Sequence, residues 1–211
     1  MDLRRITATS GIALVTTLVS LLVSLTNHEM DAAILAGFVP ARISGAIDYA
    51  GVLAVPAVLT PLSAALLHAG LFHLGMNLIM LVYTGRETEK ALGPLGVLIL
   101  YLVGAYAAAG AQWLAGPQSL QPMIGASGAT SAIVGAYALL YGRSRAKDIG
   151  PIPARAVHVA WLAVAWVAIN LLTGLAFQQG GAAIAVAAHI GGFAAGLALA
   201  RPLFLWNWRK A

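Results

Sequence analysis

Ser127 and His189 are the residues from which this chain could build a nucleophile and its base. Ser127 stands in Gly125-Ala126-Ser127-Gly128-Ala129-Thr130, at the front of an apolar segment and behind the polar loop Gly116-Pro117-Gln118-Ser119-Leu120-Gln121-Pro122. Glycines beside a serine allow close backbone approach and leave its oxygen accessible. A serine at a helix start also lies where unpaired N–H groups point outward and the macrodipole is positive, a good place for a developing oxyanion. Gly/Ala/Ser clusters in membrane helices are more often packing faces, and on this hexapeptide alone packing is the commoner use. His189 stands in Ala187-Ala188-His189-Ile190-Gly191-Gly192-Phe193-Ala194-Ala195-Gly196. Gly192 and Gly196 make a GxxxG face, Ala188 extends it by a turn, and His189 projects from much the same side. The segment of Ser127 is the expected partner, because Gly128 and Gly135 also invite close contact. A histidine that merely bonds a buried carbonyl would look the same in isolation.

His73 and Asn77 are four apart and share a helix face. Such a pair either bonds another helix for stability or aims two donors at a carbonyl oxygen. The other polar groups in apolar segments are His68, Gln112, His158 and Asn170. His28, and His158 beside Arg155, are read as solvated or interfacial. There is no HExxH, and no Asp or Glu lies in a span, which argues against zinc and aspartyl chemistry. His68 and His73, five apart, should not share a helix face, so no metal site and no cofactor are expected. Cysteine is absent, which removes thiolate chemistry. Serine with histidine remains as the available nucleophile–base pair.

These residues need elements to hold them. Of 211 residues, 60% are hydrophobic and only 9% charged, against about 25% charged in a soluble domain. The composition predicts an all-α polytopic membrane protein. At about 20 residues per span, the chain is one six-span unit over residues 1–211 with no room for a second globular domain. The spans are expected at 6–25, 62–83, 95–114, 127–141, 154–175 and 182–200. The first lacks a small-x-small cleavage site behind it and is read as a retained helix. Residues 27–60 are too polar and too interrupted to span, and are expected as an interfacial, partly embedded loop with short helices. Thr60-Pro61 opens the second span, and the polar stretch from Thr84 to Lys90 closes it.

In this arrangement eleven of the twelve basic residues fall on one side, and only Arg42 on the other. That asymmetry places both termini in the cytoplasm, and the loops 27–60, 116–124 and 176–181 outside. Ser127 would then lie just inside the membrane from the outer face, at a depth comparable to His73 and Asn77. Trp206 and Trp208 suit an inner interfacial anchor. The basic residues report orientation, and no nucleic-acid partner is expected.

The motifs together resemble the rhomboid intramembrane serine proteases. Gly125-Ala126-Ser127-Gly128 is similar to their GxSG motif, and His68, His73 and Asn77 to H-x4-H-x3-N in the second span. The run from Ala188 to Gly196 is similar to AHxxGxxxG in the sixth, and Gly85 and Glu89 to the Gly/Glu signature after the second. The resemblance implies a six-transmembrane-helix rhomboid-like bundle. It implies Ser127 as nucleophile and His189 as general base and then acid, without an acidic third member. It implies an oxyanion site made of the Ser127 N–H and the side chains of His73 and Asn77, with His68 structural or lining the site. The substrates it implies are transmembrane segments of other membrane proteins, cut near the outer face, with the fifth span and loop 176–181 as gate and cap.

Two positions depart from the family pattern. Ser131 stands where many members have a tyrosine packed on the catalytic histidine, and Val58-Leu59-Thr60-Pro61 where many carry Trp-Arg. A relative that binds membrane clients without cutting them is the alternative, although such relatives usually lose the serine or histidine and this chain keeps both. A small transporter would show repeat symmetry or broken helices, which the sequence does not suggest. A purely structural membrane protein would not need the His/Asn/Ser/His set. Size and the lack of a targeting peptide suggest a prokaryotic plasma membrane.

Overall fold

A computed structural model describes residues 7–142, 146–177 and 185–209. Its helices are α1 (Ala8–Leu25), α2 (Glu29–Ala36), α3 (Pro40–Ile43), α4 (Thr60–Ala64), α5 (Gly70–Ala115), α6 (Ser127–Tyr141), α7 (Ala154–Phe177) and α8 (Val186–Trp208), with a 3-10 turn at Ala57–Leu59. No strand occurs among the described residues. Among the described residues three helices, α1, α5 and α8, are long and apolar enough to cross a membrane. The molecule is an all-α membrane protein.

The second expected span needs correction at both ends. Residues 62–83 are not one helix: α4 ends at Ala64, the chain leaves the helix through 65–69, and α5 begins at Gly70. The break has a use. It lets the Ala64 carbonyl, which also accepts the Leu67 N–H at 3.2 Å, accept the N–H of Gly125 at 2.9 Å, and it moves His68 off the helix. At the far end α5 does not stop at the polar stretch after Tyr83 but continues to Leu92. Arg86, Glu87 and Lys90 are good helix formers, and they carry the helix beyond its apolar part. Gly93, at φ 73° and ψ 168°, then breaks it, with Pro94 following. Only glycine adopts that conformation without strain. Straight, 46 residues would run about 69 Å. The break folds residues 94–115 back, and Leu81 and Leu100 share one core.

Helices α6 and α7 start where expected, at Ser127 and Ala154. The sixth segment needs a second correction. Helix does not end near Ala200 but runs through Pro202 to Trp208, so the expected tail is helical. Asn207 fastens this extension to the α5 break by donating Nδ2–H to the Ala91 carbonyl at 3.2 Å. Loop residues 178–181, residues 182–184 of the expected sixth span, and Arg143 and Arg145 lie outside the described residues.

The centre is α5, α6 and α8, and small side chains set their spacing. A Cβ at Gly192 or Gly196 would strike the backbone carbonyls of Gly128 and Ala132. Helices in lipid gain nothing from excluding water, so close van der Waals contact through such faces is what associates them. Helix α1 docks through its first turn. Glu89 accepts the N–H groups of Ala8 and Thr9, both at 2.9 Å, and the Thr9 hydroxyl at 2.6 Å. A carboxylate there meets unpaired donors and the positive end of the dipole.

The first loop holds short helices, as expected, and is tied down without a Trp-Arg pair. Phe38 and Met123 exchange backbone hydrogen bonds at 3.0 and 2.8 Å. The Trp113 indole donates to Ser44 Oγ, which donates to the Pro117 carbonyl. Arg42 donates to the Val55 carbonyl and stacks over Tyr49.

Candidate active site

The loop 116–126 delivers the chain to α6, and Gly125 makes the last turn at φ 120°. Ser127 is the first residue of α6. Its N–H therefore belongs to the set that a helix leaves without an internal partner. His189 lies one turn into α8, and its Nε2 stands 2.7 Å from Ser127 Oγ. The glycine contacts that bring α8 against α6 are what place the ring there, since Gly192 is one turn beyond His189 and lies on Gly128.

His73 accepts the Ala69 N–H at Nδ1, at 3.3 Å. That bond assigns the proton to Nε2, which is then a donor. A Cβ built on Gly125 would lie 2.9 Å from His73 Nε2 and 3.6 Å from Ser127 Oγ. The missing side chain thus leaves open the space between the His73 donor and the serine. Asn77 is buried one turn along α5 and donates one amide N–H to the His73 carbonyl at 2.9 Å. An amide has two such hydrogens, so one remains.

His68 is not on the α5 helix, and the expectation that it and His73 point apart is corrected. The two rings meet edge to face with centroids 5.0 Å apart. No group of three His, Cys, Asp or Glu that could hold a metal occurs among the described residues. Instead His68 takes part in a relay. Ala126 N–H donates to its Nε2 at 3.2 Å, so Nδ1 carries the proton and donates to Ser20 Oγ at 2.9 Å. The Ser20 hydroxyl donates to the Leu66 carbonyl at 2.8 Å. Through this relay α1 and the α4–α5 break hold the residue just before Ser127.

Ser131 does not take a tyrosine's place beside the histidine. Its hydroxyl donates to the Ser127 carbonyl at 2.7 Å, and its Cβ lies 3.2 Å from where a Cβ on Gly192 would be. A small residue here suits the close α6–α8 crossing. Support for His189 comes from α7: the Trp166 indole donates to the His189 carbonyl at 3.2 Å and stacks on Phe193 at 5.0 Å between centroids. Neither Ser20 nor Trp166 was a candidate from sequence. A serine in a first span and a tryptophan in an apolar helix carry no spacing signal that links them to a site far along the chain.

Comparison with known families adds a match over residues 56–206 to the Rhomboid domain. No curated protein matches the sequence. The matched region holds His68, His73, Asn77, Ser127 and His189. Proteins with this domain are in general intramembrane serine proteases. The match covers well over half of the chain, and with an all-α membrane fold of the same type the protein belongs to the rhomboid family.

Proposed function

We propose that the protein is an intramembrane serine endopeptidase. It would hydrolyse a peptide bond in or near the transmembrane segment of other membrane proteins. The observation that carries this reading is the 2.7 Å approach of His189 Nε2 to Ser127 Oγ. With its proton on Nδ1, neutral His189 accepts the serine proton as Oγ attacks the carbonyl carbon. The imidazolium then gives that proton to the leaving amine, and a second round with water releases the acyl group. The negative charge that builds on the carbonyl oxygen is met by the Ser127 N–H, His73 Nε2 and the second amide hydrogen of Asn77. Fixed donors of this kind work best where bulk water is excluded. Gly125 and Gly128 keep that space open and let α8 approach, and Gly192 and Gly196 complete the approach from the other side.

The wider reading is a single six-span unit with both termini in the cytoplasm and Ser127 near the outer face of a prokaryotic plasma membrane. The orientation in this reading rests on the asymmetry of the basic residues.

The test is cleavage of a transmembrane substrate with small residues near its outer end, by purified protein in liposomes. Wild type should cut, and Ser127→Ala and His189→Ala should not. Folded wild type that cuts none of several such substrates would instead favour a relative that binds membrane clients without cutting.

A further inference from the structure

Far from Ser127, the end of α6, the first turns of α7 and the later part of α8 surround a half-open cavity of about 430 Å³. Leu139 and Leu140 lie some 20 Å along α6 from its first residue, Ser127, at 1.5 Å per residue. The cavity has two kinds of wall. Leu139, Leu140 and Phe204 are apolar, while Arg155, His158 and Arg201 bring polar groups from α7 and α8.

The charges here are unbalanced. Among the described residues neither arginine forms an ion pair, the Lys90–Glu87 contact being an ion pair elsewhere. Asp148, the acid nearest in sequence, accepts the Ala154 N–H at 2.6 Å. Arg155 also sits in the first turn of α7, where the macrodipole disfavours a cation and favours an anion. His158, read from sequence as solvated or interfacial, is half-buried. Its Nε2 is buried without a hydrogen-bond partner among the described residues, facing Gly142, where a Cβ would stand 3.5 Å away. Arg155 and Arg201, from different helices, both line this cavity, and no carboxylate is among its lining residues; like charges facing one space repel each other unless an anion joins them. Guanidinium forks match phosphate oxygens in both charge and geometry.

We propose that this cavity is a binding site for a phosphate-bearing anion. Arg155 and Arg201 clamp the phosphate, and the Leu139, Leu140 and Phe204 wall receives the apolar part of the ligand. An anionic lipid headgroup has this chemistry, since basic pockets between membrane helices hold such headgroups. A soluble phosphate compound shares the charge without the chain.

The full-length protein in phosphatidylcholine nanodiscs doped with phosphatidylglycerol provides the test, with retained lipid read by native mass spectrometry. Two charge-matched variants are compared. Arg155→Gln/Arg201→Gln removes the clamp. Arg86→Gln/Lys90→Gln removes two charges at the same end of the bundle, where the Tyr141 hydroxyl reaches the Glu87 carbonyl. Loss of the clamp should lower phosphatidylglycerol retention about tenfold more than the control pair, because it removes charge-assisted hydrogen bonds as well as diffuse attraction. Arg155→Lys/Arg201→Lys should recover part of it, which separates lost binding from lost folding. Retention that inorganic phosphate does not displace identifies a lipid. Binding of inorganic phosphate alone, lost in the clamp variant, identifies a soluble phosphate compound. Equal loss in both charge-matched pairs, or no binding of either probe by wild type, overturns the proposal.

Discussion

Gly125 lacks a side chain where one would do harm. A methyl group there would stand 2.8 Å from His73 Cε1 and 2.9 Å from Nε2, on a backbone with φ 120°. Gly125→Ala should therefore push His73 out of place and fill the proposed oxyanion space. Cleavage should fall at least tenfold (about 1.4 kcal/mol in the barrier), measured beside the thermal midpoint. A loss of stability without loss of cleavage per folded molecule would show that the space is not used. Asn77 makes a sharper test. If its free amide hydrogen meets charge only in the transition state, Asn77→Ala should lower kcat by about 10² to 10³ with KM little changed. A rise in KM alone would move Asn77 to a binding role. His68 shows what spacing cannot convey. Its place five residues before His73 was legible, but its partners, Ser20 and the Ala126 N–H, come from 48 and 58 residues away.

Two helix breaks decide how the elements present these residues. The first, at 65–69, lets the Ala64 carbonyl and the His68 ring take the N–H groups of Gly125 and Ala126. The second, at Gly93, turns one long helix into two packed antiparallel stretches. The second break falls just before the expected start of the third span at residue 95, whereas the first was not evident from hydropathy, because Ala64-Ala65-Leu66-Leu67 is apolar throughout. Hydrogen bonding to distant backbone overrides local helix propensity there. Glu89 has the opposite history: its place after the second span was a visible signature, and its use is to cap α1. Glu89→Ala should cost about 3 kcal/mol of unfolding free energy, since it leaves several partly buried donors unpaired. The exposed Arg86→Ala should stay within about 0.5 kcal/mol. Equal midpoints for both variants in detergent would show that α1 is held by its packing alone.

For the whole molecule, the basic residues predict which way it sits in the membrane. A reporter fused after Gln179 should read as external, and one after Ala211 as cytoplasmic. The reverse pattern would overturn the orientation and move Ser127 to the inner face. The test is independent of cleavage, because a positive-inside bias acts on orientation whether or not the protein is active.

Composition and the long apolar runs were enough for a membrane protein built of helices, since backbone in lipid is satisfied only within helices or closed barrels and runs of about 20 apolar residues suit the helix. Motif order was enough to pair Ser127 with His189 and to group His73 with Asn77, because chemistry constrains residue types and helix geometry constrains spacing. Tertiary contact decided the rest. The sequence named α6 as the expected partner of the Gly192 face, but not how closely Gly192 would lie on Gly128, which is what brings Nε2 within 2.7 Å of Oγ. Nor does it say that α4 would stop, that Trp166 would reach the His189 carbonyl, or that Arg155 and Arg201 would share a cavity. Each of these depends on how closely two helices far apart in the chain approach, and that distance is set by side-chain volumes on both faces together.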